Sequence, residues 1–191
     1  MKNIAVFASG SGTNAENIFR HFENSDTARP ILLVTDNSNA GALDRAKKFG
    51  IETAVFPRAE FRSGEAVLEL MRDKAIDYII LAGFLSLVPA CLVRAFDGRI
   101  VNIHPALLPK YGGKGMYGHH VHEAVIANGE NESGITIHLV NEHYDEGAAL
   151  AQFKVTVTPD DTPDTLAAKI HELEYAHFPE VIEREISKLP R

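Results

Sequence analysis

The sequence predicts an α/β protein with a mostly parallel sheet covered by helices on both faces. Strand-like and helix-like patterns alternate from residue 2 to residue 104, as in chains that connect parallel strands through helices. The segment 78–81 is apolar at every position, which is typical of a strand buried on both faces. Two strand-like segments near the C-terminal end, 134–140 and 148–157, are close in sequence and favour antiparallel pairing there. Together these patterns predict a Rossmann-like sheet.

The first hundred residues supply four predicted strands and the helices between them. The strands are predicted at 2–7, 30–36, 53–56 and 77–82. The first helix begins near Thr13 or Asn14, since either side chain can cap a helix N-terminus. Further helices are predicted over 41–49, over 63–74 with Ser63 as its cap, and from Pro89 onwards.

The second half begins with a central strand and ends with a long helix. The central strand is rich in β-branched residues, which predicts burial, and Pro105 ends it. A glycine-rich surface loop follows at 112–118, and a helix is predicted over 120–127. Thr162 caps the last helix, and Pro163 takes its first position.

Composition and charge restrict the functional classes. The chain has 191 residues, 45% of them hydrophobic and 24% charged, which fits one globular domain with a substantial core. The net charge of −7 argues against nucleic acid as a partner, because its binding relies on clustered Lys and Arg. Cys91 is the only cysteine, which favours a reducing compartment, and no apolar run suits a signal peptide or a membrane span. We therefore expect a cytoplasmic protein without a membrane partner.

Two polar residues, Asn102 and His104, alternate at the end of the central strand, so their side chains leave the same face. An amide can donate a hydrogen bond to a developing oxyanion, and an imidazole can transfer a proton near neutral pH. Asp145, in a polar loop at 141–147, adds a carboxylate, and the three groups suit acyl transfer to an amine. Spacing alone is equally compatible with two satisfied polar residues at a strand end. No serine or cysteine nucleophile stands out, so direct attack by a bound amine is the simpler mechanism.

A glycine-rich turn joins the first strand to the first helix. Such a turn collects backbone N–H groups at the positive end of a helix, which favours a phosphate site over a tight turn without a ligand. Gly10, Gly12 and Ala15 also fit the dinucleotide-binding fingerprint, and Asp36 follows at the distance expected of a ribose-binding acid. A dinucleotide-binding oxidoreductase or a nucleotide sensor is therefore the alternative interpretation. It leaves the amide, the imidazole and the carboxylate without a role.

Two further sets of polar side chains are candidates for ligand contacts. Glu174 lies in an otherwise apolar column of the last helix, where it could pair with an Arg or Lys or hold the amine of a ligand. His119, His120 and His122 raise the question of a metal site, since imidazole binds zinc or nickel. Adjacent and i+2 histidines seldom converge on one ion, so no metal is expected.

Four collinear segments, spread over nearly the whole chain, carry a family resemblance. They are Gly10-Ser11-Gly12-Thr13-Asn14, Leu81-Ala82-Gly83-Phe84, Val101-Asn102-Ile103-His104-Pro105-Ala106-Leu107-Leu108-Pro109-Lys110-Tyr111, and Asp145 with Gly147. The Asn-Ile-His-Pro-x-Leu-Leu-Pro string is highly specific for folate-dependent formyl transfer. On these segments the sequence resembles the glycinamide ribonucleotide formyltransferases.

The resemblance implies transfer of the formyl group of 10-formyltetrahydrofolate, as cosubstrate, to the amine of 5-phosphoribosylglycinamide in de novo purine (IMP) synthesis. It implies that Gly12, Thr13 and Asn14 hold the phosphate end of the ribonucleotide and that Glu174 contacts its amine. The residues implied to hold the folate come from several segments: Arg62, Leu85, Ser86, Leu87, Val88, Asn102, Asn141, Tyr144 and Asp145.

The resemblance also implies a mechanism and a division of the chain. The amine attacks the formyl carbon, Asn102 and a protonated His104 stabilise the oxyanion, and Asp145 holds His104 and assists proton transfer to the leaving nitrogen. Whether Asp145, His104 or a bound water is the base stays open. A single formyltransferase domain would combine a nucleotide-binding half, 1–100, with a catalytic and folate-binding half, 101–191. The implied partners are small molecules, and the chain would act as a monomer or homodimer.

Two departures from the family pattern concern the folate. Relatives often carry an arginine used by the folate where this chain has Gly64, and Arg62 is a possible substitute. The loop at 112–118 is longer than the common loop, so folate affinity or loop closure could differ.

Overall fold

Seven strands and seven helices make up the described part of the chain, residues 1–190 of a computed structural model. The strands are β1 Lys2–Phe7, β2 Ala28–Thr35, β3 Glu52–Val55, β4 Tyr78–Leu81, β5 Ile100–His104, β6 Glu132–Leu139 and β7 Ala149–Thr156. The helices are α1 Thr13–Phe22, α2 Ala42–Lys48, α3 Arg58–Ser63, α4 Glu65–Asp73, α5 Ala90–Ala95, α6 His119–Ala127 and α7 Pro163–Ser187. Arg191, the last residue of the predicted second half, lies outside the described residues.

All seven strands belong to one sheet, with the order β3-β2-β1-β4-β5-β6-β7. The pairs among β1 to β5 are parallel, whereas β6 runs antiparallel to both β5 and β7. The predicted mostly parallel sheet with an antiparallel C-terminal end is confirmed. The chain turns from one side of β1 to the other when it reaches β4, and such a switch point leaves a crevice at the carboxyl ends of the strands.

The core forms two layers, one on each face of the sheet, because successive strand residues point to opposite faces. In β1, Ile4 and Val6 pack with α1, α2, α6 and α7, whereas Ala5 and Phe7 pack with α3, α4 and α5. All four of these side chains are fully buried. The predicted cover of helices on both faces is therefore confirmed.

The predicted helix over 63–74 corresponds to α4, but its predicted cap at Ser63 is wrong, and a separate short helix that the sequence did not predict, α3, precedes it. Gly64 adopts φ 75°, a left-handed conformation, between α3 and α4. Ser63 is consequently the last residue of α3, and Gly64 precedes α4 in the cap position without a side-chain cap. A Cβ atom at Gly64 would lie 2.4 Å from Cys91 Sγ and 2.7 Å from Pro89 Cβ, so this position excludes any larger side chain.

The two long helices that carry predicted ligand residues begin in different ways. α1 begins at Thr13 as expected, but its N-cap is Gly12 (φ 77°), so neither Thr13 nor Asn14 is the cap. α7 begins as predicted, with Pro163 in its first position and a reciprocal capping box between Thr162 and Thr165. No helix within residues 1–190 combines the length and apolarity needed to cross a bilayer.

Candidate active site

A cavity of about 760 Å³ opens at the carboxyl ends of β1, β4 and β5. It lies at the switch point of the sheet, where open α/β folds bind their ligands. The sequence-predicted site residues that line it are Gly12, Thr13, Asn14, Leu85, Ser86, Leu87, Val88, Asn102, His104, Asn141, Tyr144, Asp145 and Glu174. Folding thus brings the glycine-rich turn, the 83–88 segment, the central strand, the 141–147 loop and α7 together around one space.

Arg62 is the one predicted site residue that the structure does not bring to this cavity. It lies exposed on α3 and is not among the lining residues. The absence of the family arginine has a structural reason, since the tight packing at Gly64 leaves no room for a side chain. The folate contact of Arg62 stays a prediction.

His104 is 3% exposed and is held from both sides of its ring. Its Nε2 lies 2.7 Å from the carbonyl oxygen of Tyr111. A carbonyl oxygen only accepts hydrogen bonds, so we infer that Nε2 carries the proton and that Nδ1 of the neutral ring has a free lone pair. Nδ1 lies 3.5 Å from Asp145 Oδ2. Burial lowers the pKa of His104 and outweighs the opposing effect of Asp145, which favours the neutral ring.

Asp145 presents its carboxylate to two histidines and one backbone amide. The Gly113 N–H donates to Oδ2 at 3.0 Å, and Oδ1 lies 3.6 Å from His138 Nε2. Burial would raise the pKa of Asp145, but the polar contacts of the carboxylate, among them the Gly113 N–H, outweigh burial and lower the pKa below its ordinary value. The carboxylate is therefore ionised when the His104 ring is neutral, and it is placed to stabilise an imidazolium.

His138, which sequence analysis gave no role, orients Asn102. Its Nδ1 lies 3.0 Å from the carbonyl oxygen of Leu139, which we take as the acceptor of the ring proton. Its Nε2 then accepts from Asn102 Nδ2 at 3.2 Å. The second N–H of the Asn102 amide stays available for a ligand. The detectable signal in the sequence was the alternation of polar Thr136 and His138 with apolar residues along β6.

Glu174 forms the centre of a second polar cluster, on the α1 and α7 side of the cavity. It is 5% exposed, and its Oε2 accepts from Asn14 Nδ2 at 2.9 Å and lies 3.1 Å from His171 Nδ1. No Arg or Lys pairs with it among the ion pairs of the described residues. Two buried atoms of this region, Asn14 Oδ1 and His122 Nδ1, have no hydrogen-bond partner within residues 1–190.

His122 differs from its neighbours in the His119, His120 and His122 set. It is 4% exposed, whereas His119 and His120 are exposed; His119 and His122 both line the cavity. Burial lowers the pKa of His122 to about 4, although Glu174 opposes the shift. Its ring is therefore neutral at physiological pH and offers a hydrogen bond without charge. No group of three or more His, Cys, Asp or Glu residues in the described chain is arranged to hold a metal ion.

The glycine-rich turn offers backbone groups to the cavity. Because Gly12 caps α1 without a side-chain hydrogen bond, no side chain occupies the first-turn N–H groups of the helix. A Cβ atom at Gly12 would lie 2.5 Å from Ala42, so the turn packs tightly against α2. The turn thus combines the positive end of a helix with first-turn amides that no side chain caps, a combination that suits an anion.

Asp36, the acid of the dinucleotide-binding alternative, is engaged inside the protein. Its side chain is fully buried, and its oxygens accept from Ser9 Oγ and Ser86 Oγ, each at 2.6 Å. It is not among the cavity-lining residues. A carboxylate in this position cannot bind a ribose without losing these bonds, so the structure does not favour the alternative.

The fold and the cavity define an α/β protein with an amide, an imidazole and a carboxylate at its switch point. A model of the formyl transferase family matches residues 2–182, and the chain belongs to this family.

Several proteins similar to this chain are named phosphoribosylglycinamide formyltransferase. The chain is 42% identical over 187 residues to the chloroplastic phosphoribosylglycinamide formyltransferase of Arabidopsis thaliana, covering 95% of this chain and 64% of the plant protein. It is 38% identical over 187 residues to the phosphoribosylglycinamide formyltransferase of Haemophilus influenzae, covering 95% and 86%. The crystal structure of that enzyme from Bacillus halodurans superposes with a TM-score of 0.88 at 36% identity, covering 98% of this chain and 96% of that one. The chain thus spans less than two thirds of the plant protein's length.

Proposed function

We propose that this protein transfers the formyl group of 10-formyltetrahydrofolate to the amine of 5-phosphoribosylglycinamide in de novo purine synthesis. The observation that carries the proposal is the single cavity that joins the helix N-terminus at Gly12 to the Asn102, His104 and Asp145 cluster. An anionic end and an amine end of one ligand could reach these two places together. The similar proteins named phosphoribosylglycinamide formyltransferase support the same assignment.

The proposed ribonucleotide contacts lie on the α1 and α7 side. The amides of Gly12, Thr13 and Asn14 suit the phosphate. No lysine or arginine within residues 1–190 pairs with the buried Glu174 carboxylate, which suits a ligand amine or hydroxyl group. The unpartnered Asn14 Oδ1 supports this placement, because a buried polar atom without a bond is costly unless a ligand completes it.

The proposed folate contacts lie on the opposite side. Leu85, Leu87 and Tyr144 are large apolar side chains that stay exposed at the cavity, and an aromatic ring system would cover them. The cavity volume falls in the range of small-molecule sites. The remaining lining residues proposed for the folate are Ser86, Val88, Asn102, Asn141 and Asp145.

We propose that His104 is the group that moves the proton. The formyl donor supplies an electrophilic carbonyl; one C–N bond forms to the amine, one C–N bond to the folate breaks, and one proton passes from the amine to the leaving nitrogen. His104 Nδ1 accepts this proton, because its lone pair is free in the neutral ring. Asp145 stabilises the resulting imidazolium, and the free N–H of Asn102 donates to the carbonyl oxygen as negative charge develops on it. The neutral resting ring differs from the protonated His104 of the sequence-based hypothesis.

The decisive experiment is a formyl-transfer assay with the purified chain, both substrates and each substrate alone. We expect the folate product only when 5-phosphoribosylglycinamide is present. Loss of the formyl group at the same rate without the ribonucleotide would instead indicate a hydrolase. Reduction of NAD by the protein, without formyl transfer, would support the dinucleotide alternative.

The cellular setting follows from the same proposal. We propose a single catalytic domain acting in the cytoplasm on small-molecule substrates, as a monomer or homodimer. Both halves of the chain line the cavity, with Gly12 and Leu85 from residues 1–100 and His104 and Glu174 from the rest. The proposed ribonucleotide contacts and the proposed folate contacts thus each come from both halves of the chain.

A further inference from the structure

We propose that Asp36 is a positioning residue that holds the formyl-donor side of the cavity in place. Asp36 lies just after β2, and its side chain is fully buried. Its carboxylate connects Ser9, which adjoins the glycine-rich turn, with Ser86 in the 83–88 segment that lines the cavity. The inference rests on the proposed function, because it assigns the 83–88 segment to the formyl donor.

The connection is made by side-chain hydroxyls. Ser86 Oγ donates to Asp36 Oδ2 at 2.6 Å, and Ser9 Oγ donates to Oδ1 at 2.6 Å. Ser9 Oγ also accepts the Leu85 N–H at 3.0 Å. Arg58 Nε approaches Oδ2 to 3.5 Å from the exposed side. Asp36 therefore fixes Ser86 directly and Leu85 through Ser9.

The two connected segments do not depend on Asp36 to the same extent. Ser9 is also held by its backbone, because its N–H donates to Gly83 O at 3.1 Å and its carbonyl accepts from Asn37 Nδ2 at 3.1 Å. The Ser86 hydroxyl has only the bond to Asp36 among the hydrogen bonds of the described residues. Loss of Asp36 should consequently loosen the 83–88 segment more than the glycine-rich turn.

The exposure of the apolar side chains in the 83–88 segment explains why hydrogen bonds to Asp36 are needed to hold it. Phe84 and Val88 pack into the core at the two ends of the segment, but Leu85 and Leu87 are 47% and 43% exposed, so little packing energy holds residues 85–87 between them. Hydrogen bonds to a buried carboxylate are stronger than neutral ones and fix the geometry of the donor side before a ligand arrives.

The test compares Asp36→Asn, Asp36→Ala and Ser86→Ala with Asp77→Ala. Asp77 is the matched control, because its Oδ2 accepts the Asn3 N–H at 2.8 Å at the opposite, amino edge of the sheet. We expect Ser86→Ala and Asp36→Ala each to raise the KM for 10-formyltetrahydrofolate about tenfold, as the loss of a hydrogen bond to a charged group implies. The KM for the ribonucleotide and kcat should change about twofold or less, a split that general destabilisation does not produce. Asp36→Asn, which keeps one acceptor, should fall between Asp36→Ala and the parent.

The double variant separates positioning by Asp36 from a direct contact of Ser86 with the donor. In the Asp36→Ala background, Ser86→Ala should add little, because the bond is already absent. Additive effects, an equal rise of both KM values, or an unchanged donor KM would each overturn the inference.

Hydrogen exchange gives a second readout that does not require activity. Amides 85–88 should exchange faster in the Asp36 variants and not in Asp77→Ala. If the parent protein transfers no formyl group, the proposed function fails, but hydrogen exchange still tests whether Asp36 holds the 83–88 segment. Unchanged exchange at 85–88 would show that Asp36 does not hold the segment.

Discussion

At the scale of single residues, the site depends on two non-glycine residues with left-handed backbones, Tyr111 and Asp145, each at φ 56°. Both direct a polar group at His104: the Tyr111 carbonyl at Nε2 and the Asp145 carboxylate at Nδ1. Such conformations cost free energy and persist where surrounding contacts enforce them, often at functional sites. The two strained residues here are the ones whose polar groups determine which nitrogen of His104 carries the proton and which has a free lone pair.

His104→Ala and Asp145→Asn should reduce kcat with the fold intact. Acid–base groups contribute about 10²–10⁴-fold, so a loss in that range is expected for each variant. His21→Ala and Asp160→Asn are matched controls: His21 contacts Glu183 instead of the cavity, and Asp160 is exposed in a loop. Circular dichroism and steady-state kinetics are the measurements, and near-full activity of either site variant would contradict the assigned roles.

The pH dependence should report His104 as the base. The reaction needs the neutral ring, so kcat/KM should fall as pH drops through the pKa of His104, which burial places below its ordinary value. The negative charge of Asp145 raises this pKa. Removal of that charge in Asp145→Asn should therefore move the acid limb of the kcat/KM profile to still lower pH. NMR titration of the His104 ring checks the same shift without turnover. A limb that stays in place or moves to higher pH would contradict the assignment.

At the scale of elements, the junction between α3 and α4 determines which side chains the proposed folate side of the cavity can contain. The left-handed Gly64 lies against Pro89 and Cys91, which belong to the start of α5. This packing fixes α3 relative to α5, on the face of the sheet where the 83–88 segment enters the cavity. An arginine at this position is incompatible with the observed geometry.

Gly64→Ala should destabilise the protein more than Gly98→Ala. Both glycines are left-handed, at φ 75° and 65°, so both variants bear a strain of about 1–2 kcal/mol. Only Gly64 would also place its Cβ atom against Cys91 and Pro89, whereas Gly98 has nothing within 4 Å. Overpacking of this kind adds about 1–3 kcal/mol. Urea denaturation measures the difference, and equal free energies of unfolding for the two variants would contradict the packing argument.

At the scale of the whole molecule, the cavity joins distant parts of the chain. α1, near the N-terminus, meets α7, near the C-terminus, through the bond of Asn14 to Glu174 and that of His21 to Glu183. A ligand that bridges Gly12 and Glu174 therefore connects both ends of the sequence. Because such a ligand binds only the folded chain, its binding raises the free energy of unfolding.

5-Phosphoribosylglycinamide should raise the thermal midpoint of the protein. At a ligand concentration of 100 times Kd the stabilisation is about 2.7 kcal/mol, which corresponds to about 5–10 °C for a chain of this size. Glu174→Gln should reduce the shift, whereas Glu180→Gln, an exposed carboxylate on the same helix, should preserve it. NAD should cause no comparable shift. A rise with NAD alone, or an identical rise in Glu174→Gln, would contradict the proposed contacts.

The sequence by itself determined the order of the seven strands and of every helix except α3, and it predicted most of the residues that line the site. Periodicity located β1, β4 and β5, because burial on one or both faces leaves a regular apolar pattern. The motif resemblance selected Asn102, His104 and Asp145, which the cavity brings together. Local signals sufficed also for the cap of α7 at Thr162.

Only the tertiary structure decided which polar side chains support one another. Asp36 and Ser86 are 50 residues apart, and Asn102 and His138 are 36 apart, and nothing in the spacing of either pair predicts its hydrogen bond. The break at Gly64 likewise depends on the distant side chains of Pro89 and Cys91. Periodic patterns record which face of an element is buried, but the partner of a buried polar group is chosen by the packing of whole elements, and that packing follows from the complete chain.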